Sequence, residues 1–356
     1  MRTGNYHIVV WCCWFALAMW SSCSMIDEDQ SDCVNPTEVN YELTLVTNMT
    51  TEIETQLNDS TEGDLADDLR KFLQNIFTDY AHDVDLSFYD TVGDSVRLQH
   101  DQHIMDANQA SYTLNLPRRQ YMHLAAANLL NNSQVGLIND AYCHPSMLRQ
   151  VLRDTIDSHN TGLFTARLPM NVLGDVDQDF IVNLYMANCA AVLVVDPRDC
   201  DASGMQVYST GFATEYFICD SNYVYPAKSP IVRTTLIGED NGHEPFAFCS
   251  VSFPSKPGSE TRTVIETEEP FVSKEGEEDL WEFRVYVPQT EEGDETRGRL
   301  RITETILRIK KRLRAGQLMI IKGWLDRQGI LYTTDTNVGV SVTLDWNKNG
   351  EHDVPL

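Results

Sequence analysis

The stretch that decides the fold reads Phe180-Ile181-Val182-Asn183-Leu184-Tyr185-Met186-Ala187-Asn188-Cys189-Ala190-Ala191-Val192-Leu193-Val194-Val195. Its last part, Ala190 to Val195, is apolar throughout and of strand length, which predicts a strand buried on both faces. Downstream, strand patterns recur at short intervals: Tyr216–Cys219, Ile231–Ile237, Ala247–Phe253, Trp281–Val287, Leu318–Lys322 and Val340–Trp346. Polar turn signals separate them, among them Gly238-Glu239-Asp240-Asn241-Gly242 and Lys256-Pro257-Gly258. Short strands with polar turns predict a β-sandwich, and no repeat of fixed period is present.

Upstream, Gly174–Asp179 reads as a linker, so two domains are expected, 39–173 and 174–356. Val39–Val46 alternates, with Tyr41, Leu43 and Leu45 on one face, as a half-buried strand does. Thr47–Gly63 is rich in Thr, Asn and Glu and reads as a loop. Asp64–Tyr80 changes period: Leu65, Leu69, Phe72, Leu73, Ile76, Phe77 and Tyr80 recur at helical spacing, with Asp64 placed to cap. Val84, Leu86 and Phe88 alternate again, and Asp90–Asp94 turns the chain into Ser95–Leu98. Ser111–Leu116, Tyr121–Ala127 and Leu163–Leu168 are further strands; the Ala and Leu of the second also suit a helix. Ser146–Ile156 reads as a short helix. The expected fold class is mostly β, the first domain being strands with one or two helices packed on them.

The amino terminus carries one fixed positive charge, Arg2, followed by the uncharged segment Ile8–Trp20. That segment is shorter than the ~20 residues a membrane-spanning helix needs, and it suits the apolar core of a secretory signal. Ser21-Ser22-Cys23 resembles a lipobox, in which the thiol is acylated and the signal, here 1–22, is removed. Trp20 stands where lipoboxes usually carry an aliphatic residue. The alternative is an ordinary cleaved signal with Cys23 free or disulfide-bonded. Residues 23–38 then form an acidic tether, opening Ser24-Met25-Ile26-Asp27-Glu28-Asp29, which resembles a surface-export signal and also suits a solvated spacer.

The chain of 356 residues is 42% hydrophobic, which supports packed cores. Its formal charge of −26 argues against nucleic acid, which is held by basic surfaces. Six cysteines follow Cys23: Cys33, Cys143, Cys189, Cys200, Cys219 and Cys249. None is spaced Cys-x-x-Cys, so zinc and thioredoxin-like readings are poor; disulfides and buried free thiols both remain open.

His100 and His103 face one way only on a helix, no third metal ligand is evident, and a solvated loop is the plainer reading. Asp345-x-Asn347-x-Asn349-Gly350 opens like a calcium loop but lacks its closing Glu, and Asp175, Asp177 and Asp179 lack the Gly. Eight basic residues in Arg297–Arg314 and eight acidic ones in Glu266–Glu282 suit pairing between neighbouring strands. Contact with lipid phosphates or an acidic partner is the functional alternative. Asp90-Thr91-Val92, Asp94-Ser95-Val96 and Asp154-Thr155-Ile156 resemble a short O-glycosylation sequon. No phosphate loop, nucleophile elbow or His-Glu-x-x-His motif occurs, so no enzyme, cofactor or metal is expected.

Taken in order, several pieces resemble the FimB-type fimbrial anchor subunits of type V pili in Bacteroides-type bacteria. They are Cys23, Cys33, the strand Tyr41–Val46, Phe88-Tyr89-Asp90, and Leu116-Pro117-Arg118-Arg119-Gln120-Tyr121 followed by Ala125 and Asn128. Ala315-Gly316-Gln317, Leu318–Lys322 and the ending Leu344-Asp345-Trp346 complete the pattern. Arg119 replaces a usual Gly, and Ala126-Ala127 a common Trp-Gly. The resemblance implies two transthyretin-like β-sandwich domains and a lipoprotein of the outer membrane, anchored through acylated Cys23 and serving pilus assembly and cell adhesion. It implies a fimbrial stalk subunit as partner, joined by strand donation. Stalk subunits of that family lose their first strand after cleavage at an Arg. Here the first Lys or Arg after Cys23 is Arg70, inside the expected helix, so Val39–Val46 is expected to stay in place. The alternative function is a surface lipoprotein that binds glycan or a host protein, for which an exposed aromatic row is the expected sign.

Overall fold

The structure, a computed structural model, describes residues 36–47, 49–60, 63–78, 81–91, 97–104, 111–130, 132–138, 147–151, 153–174, 176–238, 244–257, 280–290, 300–335 and 338–345. The described residues form four β-sheets and two helices. A seven-stranded sheet runs, in spatial order, Arg97–Ile104, Val84–Asp90, Gln120–Ala127, Phe164–Asn171, Asp179–Met186, Thr37–Val46 and Ser111–Leu116. Asp179–Met186 lies beyond the expected linker yet is the parallel neighbour of Thr37–Val46, with Tyr41 opposite Phe180 and Leu45 opposite Leu184.

Two helices, α1 (Met49–Ser60) and α2 (Asp64–Ile76), cover the inner face of this sheet. Helix α1 corrects the loop expected over Thr47–Gly63. Met49, Ile53 and Leu57 recur every four residues and are buried, while Thr and Glu fill outer positions. Such a segment has weak intrinsic propensity, and its helix rests on tertiary burial of that stripe. Met49 N–H donates to Thr47 Oγ1 at 3.1 Å, which satisfies one of the free amides of the first turn. Helix α2 follows the predicted stripe, with Leu65, Leu69, Leu73 and Ile76 buried. Asp64 does not cap it: the N-cap is Gly63, without a side-chain bond, and Asp64 stands in the first turn.

The other side of the helices meets a five-stranded sheet: Thr235–Ile237, Phe246–Ser252, Cys189–Asp196, Leu318–Leu325 and Leu331–Thr333. Its central strand holds Ala190–Val195, all buried as the apolar run requires. Alternate residues of that strand serve two cores. Ala190, Val192 and Val194 face the helices, while Cys189, Ala191, Leu193 and Val195 face a six-stranded sheet. That sheet runs Val338–Asp345, Leu300–Ile309, Trp281–Thr290, Gln206–Thr210, Ile231–Arg233 and Thr155–Asp157. The layers are therefore sheet, helices, sheet, sheet.

A four-stranded sheet, Asn222–Val224, Glu215–Phe217, Met147–Gln150 and Val135–Ile138, packs on part of the outer face of the seven-stranded sheet through Leu148, Tyr216, Leu124 and Tyr89. The helix expected over Ser146–Ile156 is two short strands, Met147–Gln150 and Thr155–Asp157, each paired to a neighbour. Tyr121–Ala127 is strand, paired on both sides to Val84–Asp90 and Phe164–Asn171, with Ala125 and Ala127 buried on one face and Ala126 on the other.

Candidate functional site

The opening strand, Thr37–Val46, sits inside its sheet, with Ser111–Leu116 antiparallel on one side and Asp179–Met186 parallel on the other. Val39, Tyr41 and Leu43 point into the core; Asn40, Glu42 and Thr44 point out. The period-two pattern thus fixes register, because a one-residue slip would bury three polar residues. Asn40 Nδ2 donates to Asp179 Oδ1 at 2.8 Å, and Asn40 N–H to the Gln178 carbonyl at 2.9 Å. A shallow hollow of about 410 Å³ lies at this place, with Asn40, Glu42, Ser111, Thr113, Asp179 and Ile181 among its lining residues.

Tyr41 reaches furthest. Its hydroxyl donates to His123 Nε2 at 2.5 Å, and His123 Nδ1–H donates to the Ser87 carbonyl at 3.1 Å. The Ser87 carbonyl can only accept, so Nδ1 holds the proton and Nε2 is the acceptor. Two strands separate Tyr41 from His123 in the sheet order, about 14 Å on a flat sheet. The two side chains lean toward each other across the inner face of the sheet to make this contact. Phe88 stacks on the imidazole at 4.3 Å between centroids. Burial holds His123 down to about 4, opposed by the Ser87 carbonyl, and pushes the Tyr41 phenol above its ordinary range. The site holds a neutral, fully bonded polar pair that ties the opening strand to the centre of the sheet.

The Leu116–Asn128 pattern is explained nearby. Tyr121 donates to the Pro117 carbonyl at 2.9 Å, and Arg119 pairs with Asp90 at 2.6 Å. Asn128 has a positive φ of 66°, which Asn tolerates better than most residues. Its side chain accepts from His82 N–H and donates to the Gly162 carbonyl, both at 2.8 Å. These residues build turns.

Cys23, Cys33 and Cys143 lie outside the described residues, as do Asp175, Val92 and the segment after Asp345. Cys189, Cys200, Cys219 and Cys249 are free; burial pushes the Cys189 and Cys249 thiols up, away from reactive thiolate. His100 and His103 fall in the strand Arg97–Ile104, neither on a helix nor in a loop. Among the described residues no group of three or more His, Cys, Asp or Glu is placed to hold a metal. Of the acidic and basic runs, Glu282 and Arg308 lie opposite each other on paired strands, and Glu282 also meets Arg284 at 3.5 Å. In the sequon Asp154-Thr155-Ile156 the Thr155 hydroxyl is buried.

No protein-family model matches the sequence, and no curated protein matches it. Solved structures do match in fold. One is a candidate adhesin from Bacteroides ovatus, 9% identical, with a TM-score of 0.51 over 93% of this chain and 100% of that one. A second is a candidate polysaccharide-binding protein from Bacteroides thetaiotaomicron, 10% identical, with a TM-score of 0.48 over 88% of this chain and 100% of that one. A third is the fimbrial anchor protein Mfa2 from Porphyromonas gingivalis, 9% identical, with a TM-score of 0.45 over 87% of this chain and 98% of that one. At these identities the likeness is one of fold.

Proposed function

We propose that this chain is a fimbrial anchoring and assembly subunit, held at the outer membrane by acyl chains on Cys23 and exposed at the cell surface. The reading rests on the opening strand. It fills its own place between two neighbours, its three inward side chains are buried, and Tyr41 locks it to His123. A subunit whose first strand is so held has no vacant groove there to accept a strand from the next subunit. That suits a terminal, anchoring position. The stalk subunit is the proposed partner, and two transthyretin-like sandwiches are the proposed bodies. Two or three acyl chains anchor firmly, since each buried methylene contributes about 0.8 kcal/mol.

Deleting the gene tests the reading: fibres should lengthen or shed into the medium, and unchanged fibres would remove it. Cys23→Ala should move the protein from the membrane fraction to the soluble one. A second reading, a surface lipoprotein that binds glycan, is favoured by the aromatic pair Trp324 and Tyr332.

A further inference from the structure

The five-stranded sheet ends in a row of three flat groups. Asp196, Trp324 and Tyr332 occupy one register row across Cys189–Asp196, Leu318–Leu325 and Leu331–Thr333. The Trp324 and Tyr332 rings stack at 6.1 Å between centroids and 21° between planes. The Arg198 guanidinium also lies over the Trp324 ring, 4.5 Å from its centroid. Arg198 reaches this position from a left-handed backbone, φ 52°, in a turn where its N–H donates to Asp196 Oδ1 at 3.1 Å. By strand order, the strand of Trp324 lies between the one that leads to Arg198 and the edge strand that holds Tyr332.

The row lies where the helical layer stops. Leu318 and Ile320 pack against the core shared with the helices, and Gln56 of α1 bonds both of their backbones. Lys322 and Trp324 continue that face by strand alternation, and Lys322 is exposed. Tyr332 is 41% exposed, and among the described residues the ring ladder ends on it.

Tyr332 is also held still. Its hydroxyl donates to Asp326 Oδ2 at 3.3 Å, while Asp326 Oδ1 accepts the N–H groups of Gln328 and Ile330 at 2.8 and 2.9 Å. Gly323 lets the edge strand come close, since a Cβ there would stand 2.8 Å from the Tyr332 carbonyl. A rigid ring beside a fixed carboxylate loses little entropy when a ligand settles on it.

We propose that the Arg198–Trp324–Tyr332 ladder is a carbohydrate platform, with an all-equatorial β-linked pyranose stacking its C–H face on Tyr332 and offering a hydroxyl to Asp326. Such a sugar presents axial C–H groups on each face, which suits the electron-rich face of a ring. A peptide strand fits less well. The edge strand Leu331–Thr333 has three residues, and the Leu331 N–H is already given to Thr305 Oγ1 at 3.3 Å. Little backbone is left for strand addition. This inference deepens the glycan reading and is independent of the anchor reading, which fibre length tests separately.

The test is saturation-transfer NMR and titration of the purified mature chain with cellotetraose. Transfer should centre on the axial ring protons. Tyr332→Ala should lower affinity about tenfold, the size of one lost ring stack. Tyr332→Phe, which keeps the ring, should lose only a few-fold, and Arg198→Ala, which leaves Tyr332 in place, should also weaken binding. Circular dichroism checks that each variant is folded. The proposal is overturned by no transfer in the wild-type chain, or by Tyr332→Ala binding as the wild type does. It is equally overturned if N-acetyltryptophanamide occupies the ladder and cellotetraose does not, which would make the occupant a protein side chain.

Discussion

Beneath the seven-stranded sheet, the interior holds bonded polar groups: His123 with Tyr41 and the Ser87 carbonyl, Asn128 with the Gly162 carbonyl, and Asp83 accepting two backbone amides. His159 is buried next to it, 2.5 Å from Gln150. Between the five- and six-stranded sheets the core is different. Trp281, Phe283, Val285, Leu307, Leu193 and Ile321 fill it, and its buried polar groups are hydroxyls such as Ser209 and Ser250, 2.6 Å apart. Hydrophobic burial is non-directional, whereas hydrogen bonds choose partners. The first region therefore specifies where its opening strand lies; the second supplies cohesion.

The largest test of that contrast is Trp281→Ala. Trp281 is 1% exposed, packs on Phe212 and Phe283, and donates its indole N–H to the Lys311 carbonyl at 3.0 Å. Truncation should cost about 3–5 kcal/mol in urea unfolding, the range for large aromatic side chains in closed cores. A loss below about 1 kcal/mol would mean that this core collapses around the gap.

Acid separates the regions next. His123 is held down to about 4 and His159 to about 3, both by burial, against an ordinary value of 6.5. The unfolded chain takes up these protons first, so stability is complete above pH 6.5, falls as pH drops below it, and levels off once the folded values are passed. His123 should remove about 3 kcal/mol over its window and His159 about 5 kcal/mol. Hydrogen exchange at pH 4.5 against pH 7 should show protection lost first in Val84–Asp90 and Gln120–Ala127, and later in Trp281–Thr290. Equal loss in both would show that the shared helical layer couples the regions into one unit.

Much of this was legible in the sequence and some was not, for identifiable reasons. Ala190–Val195 announces a central strand because six apolar residues in a row have nowhere else to go. Val39–Val46 announces its face by alternation. Helix α1 stayed hidden because its signal is three residues, Met49, Ile53 and Leu57, among polar ones of low helix propensity. Met147–Gln150 is too short for period to separate strand from helix. The contacts of the candidate sites were hidden more deeply. Tyr41 and His123 are 82 residues apart, and nothing local to either marks the partner. Arg198 and Trp324 meet only because two strands run parallel in register.

Tyr41→Phe should have the smallest effect and bears most directly on the opening strand. It keeps the ring and its packing but leaves His123 Nε2 buried without a donor. The cost should be about 1–3 kcal/mol, the penalty for an orphaned buried acceptor. Because Tyr41 is the strand's link to the sheet centre, faster amide exchange should concentrate in Thr37–Val46. Adding His123→Leu removes the orphaned nitrogen as well. The double variant should then be less destabilised than the two single losses predict together, since partners in contact do not add. Strict additivity would mean that the hydroxyl and the imidazole act separately. The strand would then be held by its backbone ladder and by Val39 and Leu43 alone, and the contrast between a specified region and a merely cohesive one would lose its chief support.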